Sequence, residues 1–143
     1  MKENFDILSR AKDQDGNPLT IVKVPLPDLI TKKILARKIS DDEDGRSYDV
    51  DPSSFKASEA PQLGDTLLRV PASSYMNYLV TNGVVILPSY TQAGSSRQKE
   101  EEVERIFQKQ FPGREIIFMD AMPINWSGGG IHCSTQQQPT RRK

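Results

Sequence analysis

Met76-Asn77-Tyr78-Leu79-Val80-Thr81-Asn82-Gly83-Val84-Val85-Ile86-Leu87-Pro88 contains two apolar, β-branched runs joined by Asn82-Gly83. Asn-Gly is the strongest short hairpin signal, because both central positions of a type I′ turn need φ > 0. Pro88 ends the second run. Past a polar stretch at 91–96, Ser95 and Gln98 fit a capping box. Glu100, Glu101 and Glu102 then fall in the first turns of a helix, where its dipole favours negative charge. Val103, Ile106, Phe107 and Phe111 form the stripe to be buried, and Pro112-Gly113 stops the helix. Glu115-Ile116-Ile117-Phe118-Met119 reads as the next strand. Hairpin, helix and strand predict a compact ββαβ unit, and the class is α/β or α+β with short mixed sheets.

Upstream the signals are weaker. Residues 2–11 place Phe5, Ile7, Leu8 and Ala11 at helical spacings. Asp13-Gln14-Asp15-Gly16-Asn17-Pro18 is turn chemistry, and Leu19-Thr20-Ile21-Val22-Lys23-Val24 is strand-like, stopped by Pro25 and Pro27. This helix and strand look like the second half of another such unit, though no repeat ties the two. Residues 29–39 predict a short helix with Leu29, Ile30, Ile34 and Leu35 on one side. The acidic block Ser40-Asp41-Asp42-Glu43-Asp44-Gly45 reads as a solvated loop, since its spacing does not match an EF-hand.

The 143 residues suit about one domain, able to bury roughly two-thirds of the surface its unfolded chain exposes. Lys+Arg and Asp+Glu number 19 each, so a net charge of zero makes no case for nucleic acid or a charged membrane as partner. No apolar run of about 18 residues exists to span a bilayer. The charged start has no apolar h-region of a signal peptide, and with a lone thiol the cytoplasm is the expected compartment. One Cys excludes an intrachain disulfide and a two-thiolate zinc site, and one His excludes multi-histidine metal sites.

One constellation carries chemistry: Asn125-Trp126-Ser127-Gly128-Gly129-Gly130-Ile131-His132-Cys133-Ser134-Thr135-Gln136-Gln137-Gln138-Pro139. Three consecutive glycines are entropically costly to order, and they make sense where backbone must approach another group closely. The only Cys follows them. Backbone N–H groups at such a turn would stabilise its thiolate. Two readings of Cys133 stay open on these features, a nucleophile or a small core residue beyond a flexible linker. His132 is read as an orienting or structural residue, because the base paired with a thiolate is normally brought from elsewhere in sequence.

These stretches resemble a known family. The Ser74–Pro88 run, Phe111-Pro112-Gly113-Arg114-Glu115 and the Gly-Gly-Gly-Ile-His-Cys…Thr-Gln-Gln-Gln-Pro ending are similar to the C-terminal end of agmatine deiminases. So is the stretch from Asn4 to Pro27, with Asp15-Gly16-Asn17-Pro18-Leu19 and Val22-Lys23-Val24-Pro25. The likeness covers the chain except residues 28–60. It implies a pentein propeller of five ββαβ-like modules, of which this chain would hold about two: residues 1–73 a partial module with a polar insertion at about 28–60, and residues 74–143 the last module.

The resemblance further implies that Cys133 attacks the guanidinium carbon of agmatine, that an amidino-cysteine forms, and that water releases N-carbamoylputrescine for putrescine synthesis. No metal or organic cofactor is implied. Asn77 would sit on a strand leading toward the central channel, either near the site or as a hydrogen-bonded sheet residue, Trp126 would line the pocket mouth or anchor the core, and Gly128, Gly129 and Gly130 would shape the Cys loop. The family's His-x-Asp pair and substrate carboxylates have no match here. The chain alone is therefore expected to be inactive, lacking a general acid/base worth about 10²–10⁴ in rate. Implied partners are the guanidine substrate and either the missing N-terminal portion or further copies of this chain. Peptidyl arginine is the alternative substrate, disfavoured because only 10 residues follow Cys133. A non-catalytic interaction module is the alternative of another class.

Overall fold

A computed structural model describes residues 2–40 and 48–139. Most of the acidic block (residues 41–45) and the basic end (residues 141–143) lie outside the described residues. The elements are α1 (Lys2–Leu8), β1 (Lys32–Leu35), β2 (Thr66–Arg69), β3 (Leu79–Val80), β4 (Val84–Ser89), α2 (Arg97–Gln110), β5 (Glu115–Asp120) and α3 (Met122–Trp126). Helix and strand are thus mixed, in two small open sheets.

The ββαβ unit forms as expected, in the order β3-β4-β5. β3 and β4 pair antiparallel, Leu79 opposite Ile86 and Val80 opposite Val85. After the α2 crossover β5 lies parallel to β4, from Val84 opposite Glu115 to Ser89 opposite Asp120. The α2 stripe meets this sheet: Val103 and Phe107 are buried, and Ile106 and Phe111 pack at the margin. Val85, Leu87, Tyr75 and Tyr90 complete the core, with Tyr78 edge-on to Phe107 at 4.8 Å.

Three local details differ from the sequence reading. The Asn82-Gly83 hairpin is present but not as type I′, since Gly83 alone of the two has positive φ. β4 continues through Pro88 to Ser89. β3 has ended before it reaches that position, so the N–H that proline lacks has no partner on that side to lose. The capping box does not form: Ser96 is the N-cap, without a side-chain cap. Asp28 takes over instead, its carboxylate accepting the Ser96 N–H at 2.8 Å and pairing with Lys99. An ionised acceptor outcompetes a hydroxyl there. The Lys99 hydrogen bond, then the Ser96 amide, hold the Asp28 carboxyl below its ordinary range. Glu100 lies in the first turn of α2, as expected, and is buried, its carboxylate collecting the Tyr90 and Thr91 N–H groups and the Ser89 hydroxyl.

The upstream half departs further. α1 forms but buries none of its residues. Residues 19–24 are not a strand: no segment of the described chain offers them a ladder, and Pro25 and Pro27 bring no N–H of their own. They lead into a strap that crosses the start of α2 and buries Ile30 in the core. Nor do residues 29–39 make a helix. β1 pairs antiparallel with β2, Lys32 opposite Arg69 and Leu35 opposite Thr66. Ile30, Ile34 and Ala36 are buried while Leu29 and Leu35 face out, the period of a strand. The expected second ββαβ half is therefore not formed by these residues. The small sheet is tied to the rest by Arg69, whose guanidinium donates to the carbonyls of Tyr48 (2.9 Å) and Trp126 (2.8 Å).

Two outcomes follow from this packing. Phe107→Ala removes a ring only 3% exposed and lowers the unfolding free energy by about 3–5 kcal/mol in denaturant titration. A loss under about 1 kcal/mol would mean that α2 does not seat on the sheet. Burial also pushes the Tyr75 phenol up to about 12. Phenolate absorbance should show it ionising well after an ordinary tyrosine. Because the folded state holds this proton longer than the unfolded chain does, its contribution to stability is complete below about pH 10 and is lost as pH rises through about 12. Simultaneous titration of all four tyrosines in the folded protein would refute that burial.

Candidate functional site

The sheet brings two distant pieces of sequence to one end. β3 runs against β4, so the residues before β3 lie beside the carboxyl end of β4. β5 runs with β4, so α3 and the glycines after it leave from that same end. Asn77, expected on a strand, instead lies in the bend before β3, which holds only Leu79 and Val80, and thereby meets the loop carrying Cys133, 56 positions later.

The loop is built from α3 outward. Pro123 opens that helix and Ser127 is its C-cap. The Gly128 N–H donates to the Asn125 carbonyl (3.1 Å) and the Gly129 N–H to the Ile124 carbonyl (3.3 Å), the paired bonds of a Schellman turn. That turn needs a left-handed residue after the cap, and Gly128 has φ +87°. Asn125, 1% exposed, donates its side-chain amide to the Gly129 carbonyl at 2.8 Å. Ile131 is buried, and His132–Ser134 form a single 3-10 turn. The Ser134 N–H and hydroxyl both donate to the Gly130 carbonyl, at 3.2 and 3.1 Å.

Cys133 is exposed on that turn, not a core residue. Asn77 Nδ2 donates to its Sγ at 3.0 Å. Asn77 Oδ1 accepts the His132 N–H at 2.8 Å and the Cys133 N–H at a longer 3.4 Å. Gly130 is buried at the point of closest approach, where an added Cβ would stand 2.4 Å from Asn77 Cγ. Its role is steric, then, whereas that of Gly128 is conformational. The Asn77 amide, followed by the backbone amides of Gly130 and Cys133, draws the Cys133 thiol below its ordinary value. These are neutral donors acting on a developing anion.

Of the residues singled out from sequence, Asn77, Gly129, Gly130, His132 and Cys133 are brought together. The His132 side chain is exposed and lines a cavity of about 420 Å³ with Met76, Tyr78, Val80 and Gln137. Among the described residues it makes no hydrogen bond to the thiol. Trp126 points to other company. It packs against the core and lies 5.7 Å from the Tyr48 ring, lining a separate cavity of about 400 Å³ with Ile30, Lys32 and Asp120. The sequence reading missed Asn125, although its place beside the glycines was visible; only its burial distinguishes it from a loop asparagine. A cysteine presented this way can add to an electrophilic carbon as its thiolate.

Gly128→Ala forces a side chain into the left-handed region and should cost about 1 kcal/mol of stability, read from denaturant unfolding. An unchanged midpoint would show that the Schellman turn is not held in solution.

A family model described as Porphyromonas-type peptidyl-arginine deiminase matches residues 1–139. Agmatine deiminase of Stutzerimonas stutzeri (strain A1501) is 31% identical over 133 residues, covering 93% of this chain and 30% of that protein. Agmatine deiminase of Medicago truncatula is 30% identical over 141 residues, covering 96% of this chain and 32% of the relative. A solved structure from Porphyromonas gingivalis, provisionally named an arginine deiminase, superposes with a TM-score of 0.61 over 96% of this chain and 29% of its own. At 22% identity that likeness speaks to fold. The chain thus spans less than a third of the length of the relatives it matches. With the family model matching all but its last four residues, the chain belongs to the Porphyromonas-type peptidyl-arginine deiminase family.

Proposed function

We propose that this chain is the nucleophile-bearing part of an agmatine deiminase-type hydrolase. The observation that carries the reading is the exposed Cys133 thiol, drawn toward its thiolate by neutral N–H groups, in a family whose relatives bear the name agmatine deiminase. In the proposed reaction Cys133 Sγ bonds to the guanidinium carbon of agmatine. The C–N bond to one terminal nitrogen breaks, and ammonia leaves after that nitrogen is protonated. Water then adds to the amidino-cysteine carbon. The C–S bond breaks, returning the thiolate and releasing N-carbamoylputrescine, an intermediate on the way to putrescine. A soft thiolate suits a carbon whose positive charge is delocalised.

The general acid/base and the groups that grip the guanidinium are to come from the remaining two-thirds of a pentein propeller, with residues 1–73 as a partial module and residues 74–143 as the last. Three features support a missing partner. α1 buries nothing; Leu29 is 80% and Leu68 66% exposed; and β5 has a neighbour on one side only among the described residues. Such bare apolar surface and strand edge call for a cover. By itself the chain should be inactive. We place the activity in the cytoplasm, where a lone thiol stays reduced.

The test is ureido-product formation from agmatine, with this chain alone and with the remainder of the Stutzerimonas stutzeri enzyme supplied in trans. Product only in the mixture, abolished by Cys133→Ala, is expected. Product from the chain alone would overturn the account of the missing base. Product from a peptidyl-arginine substrate but not from agmatine would move the reading to the activity in the family model's name. Silence from an assembled mixture would leave an interaction module.

A further inference from the structure

We propose that Asn125 is a positioning residue for the nucleophile: by holding the Gly129 carbonyl, it turns the Gly129–Gly130 peptide so that the N–H faces Cys133 Sγ. This rests on the reading of Cys133 as the nucleophile. A peptide unit is planar, and in the trans form its C=O and N–H point opposite ways. The bond between the two glycines is trans. Asn125 Nδ2 donates to the Gly129 carbonyl at 2.8 Å, drawing that oxygen toward α3. The N–H of the same plane is thereby turned away from Asn125. Gly130 is buried, and no carbonyl among the described residues accepts its N–H. A buried N–H needs an acceptor, and the one it faces is the sulfur. Its amide stands second, after that of Asn77, among the groups that draw the Cys133 thiol toward its anion.

The carboxamide of Asn125 can lie only one way round. A carbonyl oxygen requires a donor, so the NH₂ end faces Gly129 and Oδ1 is left with no partner among the described residues. Asn125 is 1% exposed, and a buried acceptor left unpaired opposes folding. A leucine of similar shape would avoid that cost, so packing alone does not account for an asparagine here. The peptide it holds is one that can turn. Glycine on each side lets the plane rotate at little steric cost, and an added Cβ at Gly129 would come no closer than 3.5 Å to Ile124. The Ser134 N–H and hydroxyl fix the following plane through the Gly130 carbonyl, and Asn125 fixes this one. An N–H bonds an ionised sulfur more strongly than a neutral one, so this amide acts before attack and again as the C–S bond breaks. The titratable side chains facing the cavity beside the thiol's turn are His132 and Tyr78. On the α3 side, Arg69 reaches the Trp126 carbonyl and Asp120 accepts the Met122 N–H. All four are unchanged in the variants below.

The experiment is a pH titration of the full chain with two readouts. One is the Gly130 amide proton by NMR; the other is the rate of iodoacetamide alkylation of Cys133, the only thiol. In the wild type the amide proton should move downfield with the same midpoint as the alkylation rate. Asn125→Leu removes the donor and keeps the branched shape. It should raise that midpoint, cancel most of the Gly130 response and slow alkylation about threefold at pH 7. At pH 10 the variant should be as fast as wild type or faster, because the more basic sulfur is intrinsically the better nucleophile. Asn125→Asp, which sets an anion against the Gly129 carbonyl, should move the midpoint further still. A loss of stability with an unmoved midpoint would make Asn125 merely structural and would overturn the proposal. So would a wild-type Gly130 amide that does not follow the ionisation of Cys133, a measurement that needs no variant to fold. Neither readout requires turnover. If both respond as expected and the complemented mixture still makes no ureido product, the deiminase reading fails while the positioning role of Asn125 stands.

Discussion

β4 is the one strand with a neighbour on each side among the described residues, and the ordered geometry of the chain is referred to it. Its inward side chains, Val85 and Leu87, lie fully buried under Val103 and Phe107 of α2. Its two partners run in opposite senses, β3 antiparallel and β5 parallel. That opposition has a topological consequence. The chain arrives at β3 and departs from β5 at the same end of the sheet, so Asn77 and the glycine-rich loop are neighbours whatever the length of the crossover between them. Were β5 antiparallel to β4, the Cys loop would leave from the other end.

The parallel pairing in turn depends on how α2 is delivered. Glu100 reaches back from the first turn of the helix to the Tyr90 and Thr91 amides, fixing the turn that leaves β4. Asp28 arrives from the upstream strap and holds the Ser96 amide and Lys99. Two carboxylates therefore pin the helix start, one local and one far away in sequence. A buried carboxylate with several donors is strong but unforgiving, because removing its partners leaves a charge in the core.

What could be read from the sequence divides along this line. The hairpin, α2, β5 and their order rest on signals within a dozen residues: Asn82-Gly83, the 103–107–111 stripe and Pro112-Gly113. Residues 29–39 could not be assigned the same way. Ile30 and Ile34 satisfy a helical face and an alternating strand equally, and β2, which decides between them, lies some thirty positions on. Residues 19–24 have strand composition and no described partner, so propensity alone did not make a strand. The capping box lost to Asp28, an acceptor no local window contains. At the site, the glycines and Cys133 stood out by composition. Asn77 carried a weaker signal, and Asn125 carried one only through burial.

The means by which Cys133 is activated bears on what it could attack. A thiol can be drawn toward its anion by a neighbouring cation or by neutral N–H groups. Among the described residues the causes are a carboxamide and backbone amides, with no cationic side chain. A lysine or a protonated histidine against the sulfur would make an ion pair of roughly zero net charge and would repel an incoming guanidinium. Neutral donors leave the anion's charge uncompensated. On the proposed reading the thiolate would attract a cationic substrate and the bound cation would in turn stabilise the thiolate, so that each would favour the reactive form of the other. On the proposed deiminase reading, such a thiol would reach its full nucleophilicity with a cation in place, the charge that a guanidine would bring.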